Sequence, residues 1–101
     1  MALNTYIDEN GAVRISVNGR FDFNLYQDFR NAYKQVDNPA GIPYIIDMSG
    51  ADYMDSSALG MLLLLRERAG GDNAKITITG CNNEIKKIFA ISNFERLFSI
   101  S

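Results

Sequence analysis

The apolar residues of this chain change period along its length, from two to between three and four and back again, and that alternation constrains the fold more than any other feature. Val13, Ile15 and Val17 alternate with Arg14, Ser16 and Asn18, which describes a strand with one buried face, bracketed by Gly11 and Gly19. Tyr6 to Asp8 reads as a short partner strand, joined through Glu9-Asn10-Gly11 because Asn-Gly is a strong hairpin signal. The chain therefore opens antiparallel. From Leu25 to Val36 the residues Leu25, Phe29, Ala32, Tyr33 and Val36 recur at helical spacing, with Asn24 placed as N-cap. Asn38-Pro39-Ala40-Gly41 ends that helix, since proline neither continues the hydrogen-bond ladder nor favours helix in the residue before it.

Tyr44 to Met48 is a short apolar run that suits a central parallel strand covered on both faces. A turn at Met48-Ser49-Gly50-Ala51 follows, then Asp55-Ser56-Ser57 and a leucine-rich helix from about Ser56 to Arg68, stopped by Ala69-Gly70-Gly71. Lys75 to Thr79 alternates as another strand, and Asn83 to Ile91 sets Ile85, Ile88, Phe89 and Ile91 on one helical side. Phe94 to Ile100 reads as a last strand or a helical turn. The order β-β-α-β-α-β-α-(β) predicts a single α/β domain over residues 1–101. Its central sheet is mixed but mainly parallel, with four to five strands and helices packed on it. A chain of 101 residues supports one such core and not two. The loops at the carboxyl ends of the strands, including Ser49 to Asp55, are the expected seat of function.

Charge and composition remove several functional classes. Ten basic and twelve acidic residues leave a formal charge of −2, which argues against nucleic acid or an acidic membrane as partner. Histidine is absent, so catalytic and metal schemes built on imidazole are excluded. Cys81 is the single cysteine and has no second thiol for a disulfide, a redox pair or a zinc site; it reads as a buried, inert thiol. No cofactor and no metal is expected. The N-terminus lacks a basic segment followed by an apolar one, and the longest apolar run, Met61 to Leu65, is far too short to span a bilayer. These features describe a soluble protein of the cytoplasm.

Tyr53-Met54-Asp55-Ser56-Ser57-Ala58-Leu59-Gly60 concentrates small polar groups where a strand passes into a helix. Asp55 or Ser56 there can be an N-cap, worth about 1 kcal/mol. Alternatively, a serine hydroxyl at the positive end of the helix dipole is a phosphate acceptor, with Asp55 opposing the added charge. In the helix itself Leu59, Leu62, Leu63 and Ala69 are expected to face the sheet, while Met61, Leu64 and Leu65 spread around it. One stripe does not bury them all, so the remainder packs on a neighbouring helix or forms a partner surface.

Met54-Asp55-Ser56-Ser57-Ala58-Leu59-Gly60-Met61-Leu62 resembles the signature of STAS domains, the family of bacterial anti-sigma-factor antagonists. Gly19-Arg20-Phe21-Asp22 resembles the family's glycine-charged-apolar-aspartate segment, and Tyr44 to Ser49 its strand leading to the serine loop. Ile85 to Phe89 is similar to its third helix and Asn93 to Phe98 to its closing segment, so the likeness spans nearly the whole chain. Ala58 replaces the glycine of well-known members, and the chain stops at Ser101 where many relatives add a helix, so the resemblance implies a face of the sheet that is less covered or used in assembly.

The resemblance implies a non-enzymatic switch. The unphosphorylated protein binds an anti-sigma factor or related serine kinase, phosphorylation of Ser56 releases it, and a cognate phosphatase resets it. Ser57 is the alternative acceptor. Asp22, Asp55, Ser57, Gly60, Met61 and Leu64 are the implied partner-binding residues, with Asp22 and Asp55 flanking the serine and Gly60 allowing close approach of a chain segment or partner. A monomer or weak dimer is expected. Tyr26 and Tyr33 read instead as half-buried ring anchors, and Lys86-Lys87 as a solvated helix face. A scaffold module whose serine is only a cap is the competing reading. An enzyme with Ser56 as nucleophile would need a base that the loop does not offer.

Overall fold

Alternation produces the strands where it was read. The computed structural model describes residues 2–36 and 41–101. Strand β1 (Leu3–Ile7) pairs antiparallel with β2 (Val13–Phe21), and β2, β3 (Pro43–Met54), β4 (Lys75–Thr79) and β5 (Ser99–Ile100) then run parallel, in the spatial order β1-β2-β3-β4-β5. Helices α1 (Tyr26–Lys34), α2 (Ser56–Arg68) and α3 (Asn83–Ile91) connect the parallel strands. The result is the single mixed α/β layer arrangement that the sequence predicts.

The hairpin is set by Asp8, which lies in the turn and not in the strand. Its carboxylate accepts from the backbone N–H of Asn10 (2.9 Å) and Ala12 (3.0 Å) and from Arg14 Nε (3.1 Å). β1 accordingly occupies Leu3–Ile7 and not Tyr6 to Asp8. β2 runs through Gly19 to Phe21. Asn24 does not cap the first helix: Asp22 does the capping, accepting from Asn24 N–H at 3.0 Å to open a 3-10 turn, Phe23–Leu25, that leads into α1. The stop signal at Asn38 to Ala40 lies outside the described residues.

The largest departure concerns β3. The expected turn at Met48-Ser49-Gly50-Ala51 is continuous strand, because parallel pairing with β2 continues from Val13 opposite Tyr44 to Phe21 opposite Met54 and satisfies those backbone groups. Shifts of register between Ser16 and Asn18 and between Gly19 and Arg20 absorb the extra length of β3. Nor is β3 covered on both faces. Tyr44, Ile46 and Met48 are buried while Ile45 and Asp47 between them are half-buried, the same alternation that β2 and β4 show. Gly80 closes the far side: its φ is +74°, and a Cβ there would lie 2.8 Å from the backbone nitrogen of Ser49.

One core joins Val13, Ile15, Val17 and Phe21 of β2 to Tyr44, Ile46 and Met48 of β3, Ile76 and Ile78 of β4, and the inner residues of the helices. α1 contributes Phe29 and Tyr33, and α3 contributes Ile85 and Phe89. Ile91, expected beside them, is 83% exposed at the last turn of α3. The closing segment combines both readings of it, a 3-10 turn (Phe94–Arg96) followed by β5, and it is held by a stack of Phe89, Phe94 and Phe98 with centroids 5.7 and 5.3 Å apart.

α2 also turns differently from the leucine-based expectation. Ala58, Met61, Leu62, Leu65 and Ala69 face the core, at spacings of three, one, three and four, whereas Leu63 is exposed. Leu62→Ala is therefore expected to cost about 2–5 kcal/mol in urea unfolding, and Leu63→Ala to stay within about 0.5 kcal/mol of wild type.

Candidate functional site

The site begins where the long β2–β3 pairing ends. Phe21 lies opposite Met54, and the N–H of Asp55 donates to the carbonyl of Phe21 at 3.4 Å, so Asp22 and Asp55 leave the ends of adjacent parallel strands together. Asp55 is extended (φ −122°, ψ −176°) and caps α2. Its Oδ1 accepts from the N–H of Ser57 (3.0 Å), the N–H of Ala58 (3.3 Å) and the hydroxyl of Ser57 (2.6 Å). The hydrogen bond from the Ser57 hydroxyl is the main reason the carboxyl titrates below its ordinary value; burial opposes it, and the two backbone donors and the charge of Arg20 add to it.

These bonds separate the two serines. Ser57 is half-buried and its hydroxyl is committed to Asp55. Ser56 is the first residue of α2 and is exposed, and its hydroxyl makes no hydrogen bond among the described residues. The cap is thus Asp55, and Ser56 is free of that task. Ala58 is fully buried beneath this turn, where its methyl group joins the core.

Asp22 holds the other strand end. Besides capping the 3-10 turn it accepts from Arg20 Nε at 3.3 Å, and the Arg20 guanidinium lies over the Tyr53 ring, 3.8 Å from its centroid. Asp22 is therefore both a turn residue and a neighbour of the serine loop. Arg20 and Tyr53 were not singled out from the sequence, since their meeting depends on the register that sets Arg20 opposite Tyr53.

Ser56, Gly60, Leu63, Leu64 and Glu67 share the outer face of α2, with Leu63 39% and Leu64 49% exposed. Gly60 does not admit a neighbouring segment of its own chain: a Cβ placed there would meet nothing within 4 Å. Met61 is 3% exposed and belongs to the core, so its side chain is not a surface for a partner. Beside Leu64 an open groove of about 600 Å³ runs between α1 and α2, lined by Tyr26, Arg30, Tyr33, Leu64, Glu67 and Arg68. Arg68 fixes that groove by donating to the carbonyls of Tyr33 (3.4 Å) and Lys34 (2.9 Å) at the end of α1. Tyr33 is buried and Tyr26 half-buried, as expected of ring anchors. Phe23, which the sequence reading passed over, is 67% exposed and stacks on Tyr26 at 5.3 Å.

A serine-bearing helix start at the carboxyl edge of a five-stranded mixed sheet defines a class, and comparison with known proteins places the chain in it. The profile of the family described as "Mlab, STAS domain" matches residues 6–99, and the chain belongs to the STAS domain family. It is 57% identical over 89 residues, 86% of this chain and 85% of the relative, to the STAS-domain containing protein PA14_20770 of Pseudomonas aeruginosa (strain UCBPP-PA14). Among solved structures it is similar to the Bacillus cell fate determinant SpoIIAA in its phosphorylated form, with a TM-score of 0.75 and 16% identity over 99% of this chain and 91% of that one. An anti-sigma factor antagonist from Mycobacterium paratuberculosis matches with a TM-score of 0.75 and 19% identity, over 97% of this chain and 84% of that one. At these identities the structural likeness concerns the fold. No helix among the described residues is long and apolar enough to cross a membrane.

Asp55→Ala removes the cap and is expected to lower stability by about 1 kcal/mol at pH 7. Because the folded pKa of Asp55 lies below the unfolded one, the carboxylate's share is fully present above about pH 4 and is lost as pH falls through the lowered folded value. Urea unfolding of wild type and variant should therefore diverge at neutral pH and converge in acid. Carbon-detected NMR titration should also show Ser57→Ala returning the Asp55 carboxyl toward its ordinary range.

Proposed function

We propose that this protein is an anti-sigma-factor antagonist of a partner-switching system. Unphosphorylated, it binds an anti-sigma factor or related serine kinase. Phosphorylation of Ser56 releases that partner, and a cognate phosphatase restores binding. The protein itself carries out no chemistry, and the exchange takes place in the cytoplasm with an indirect effect on transcription.

The observation that carries this reading is the unengaged, exposed hydroxyl of Ser56 beside a Ser57 hydroxyl already bound to Asp55. Membership of the STAS family and the likeness to SpoIIAA, solved in both an unphosphorylated and a phosphorylated form, support it. Physically, a phosphate brings about −1.5 to −2 charges and three acceptor oxygens to one end of the outer face of α2. That face presents Leu63 and Leu64, with Tyr26, on which Phe23 stacks, across the groove from Leu64. A partner that covers this apolar surface would also have to desolvate the dianion next to an ionised Asp55. A penalty of about 3 kcal/mol suffices for roughly a hundredfold loss of affinity.

Wild type, Ser56→Ala, Ser56→Asp and Ser57→Ala proteins, each checked for folding, serve as baits in native-host lysate, and the intact mass of the wild type is recorded. A partner retained by Ser56→Ala and lost by Ser56→Asp, with a phosphate mass on part of the wild type, is the expected outcome. Equal capture by all baits and no phosphate would instead identify a scaffold module.

A further inference from the structure

Arg20 stands at the strand end beside the serine loop. Its side chain is 63% exposed, its Nε reaches Asp22 at a long 3.3 Å, and its guanidinium face rests on Tyr53. A guanidinium carries five N–H donors, and the terminal nitrogens of Arg20 have no hydrogen-bond partner among the described residues. The pairing of Arg20 with Tyr53 and the bond from Asp55 N–H to Phe21 carbonyl bring this side chain to the strand end from which α2 starts. Arg14, Arg66 and Arg68 are engaged elsewhere, with Asp8, with Asp72 and with the end of α1 respectively. The carboxylates around the loop are Asp22, Asp52 and Asp55, so a phosphate on Ser56 enters an acidic neighbourhood.

We propose that Arg20 is the intramolecular counter-charge of phosphorylated Ser56, leaving Asp22 and the Tyr53 ring to bind the phosphate. This rests on Ser56 as the modified serine and concerns how the modification is read. Arginine binds phosphate through two parallel charge-assisted hydrogen bonds, a stronger arrangement than a single Nε contact at 3.3 Å. Its departure uncovers the Tyr53 ring, which is already 38% exposed, and leaves Asp22 with its backbone donor from Asn24. A modification of one hydroxyl then alters the shape of the surface as well as its charge. The influence of Arg20 on the Asp55 carboxyl agrees with its lying within electrostatic reach of the loop.

The test installs phosphoserine at position 56 by genetic code expansion, in otherwise wild-type protein and in Arg20→Gln and Arg20→Lys, with the amide spectrum of each unmodified variant as a folding check. Phosphorus NMR follows the second ionisation of the phosphate, whose ordinary pKa is about 6. The expected result is ionisation at lower pH in the presence of Arg20. Arg20→Gln should tighten proton binding by about threefold, or half a pH unit, and Arg20→Lys, which keeps the charge without the fork, should fall between. Tyr53 ring resonances should move on phosphorylation in the wild type and stay in place in Arg20→Gln. Coincident phosphate titrations in wild type and Arg20→Gln, or a Tyr53 ring unmoved by phosphate in the wild type, would overturn the proposal. Because the phosphate is installed and not added by a kinase, such a result leaves the reading of Ser56 untouched. Failure of that reading shows separately, in the bait experiment.

Discussion

Parallel pairing of β2 with β3 is the contact from which the rest of the site follows. A strand pair that ended at Met48, as the Ser-Gly step invites, would leave Ser49 to Met54 as a loop and Asp55 without a fixed origin. Instead the pairing runs on to Phe21 and Met54, crossing two register shifts. At the first of these, Gly50 admits the side chain of Asn18 into space that a Cβ would occupy. The last link, Asp55 N–H to Phe21 carbonyl, sets both the start of α2 and the distance between the two strand ends. The capping carboxylate, the serine pair and the Arg20–Tyr53 stack are consequences of where that ladder stops.

α2 is apolar on two sides for two different reasons. The inner residues Ala58, Met61, Leu62, Leu65 and Ala69 complete the core and account for the burial the helix needs. Leu63 and Leu64 on the opposite side lie outside that core and keep much of their apolar surface in water. Their place in line with Ser56 and Gly60 makes the outer face a continuous surface from the serine to the α1–α2 groove. An apolar surface that begins at an exposed hydroxyl is one whose affinity for a partner responds to any charge placed on that hydroxyl.

Much of the architecture was legible because local pattern and tertiary burial agree along most of the chain. Val13 to Val17 and Lys75 to Thr79 alternate in sequence and in burial, and Asp55-Ser56 starts a helix as cap chemistry requires. The misreadings have physical causes. Ser49-Gly50 has the composition of a turn, and only a neighbouring strand reveals that the glycine serves a register shift inside a sheet. α2 has few polar residues to orient it, so the choice between Leu63 and Met61 for the core was fixed by the sheet and not by periodicity. Asn24 and Asp22 are both good caps, and what separates the two readings is the three-residue 3-10 turn that Asp22 opens ahead of α1. Arg20 and Tyr53 are distant in the chain; no spacing rule joins them before the register is known.

On the proposed reading, Asp55 with Ser57 on one side and Ser56 on the other divide two requirements that conflict when one residue must meet both. A helix cap has to stay hydrogen-bonded for the helix to hold its place, whereas a switchable hydroxyl has to be accessible and chemically altered. Here Asp55 takes the cap, and Ser57 tightens it with a 2.6 Å hydrogen bond that also keeps the carboxyl ionised. Ser56 contributes its backbone to the first turn and nothing from its side chain. A charge added to its hydroxyl therefore meets Asp55 as an electrostatic neighbour without displacing it as a cap. Changes in binding can then be large while the fold that presents the surface is preserved, the condition under which a single modification acts as a switch and not as a lesion.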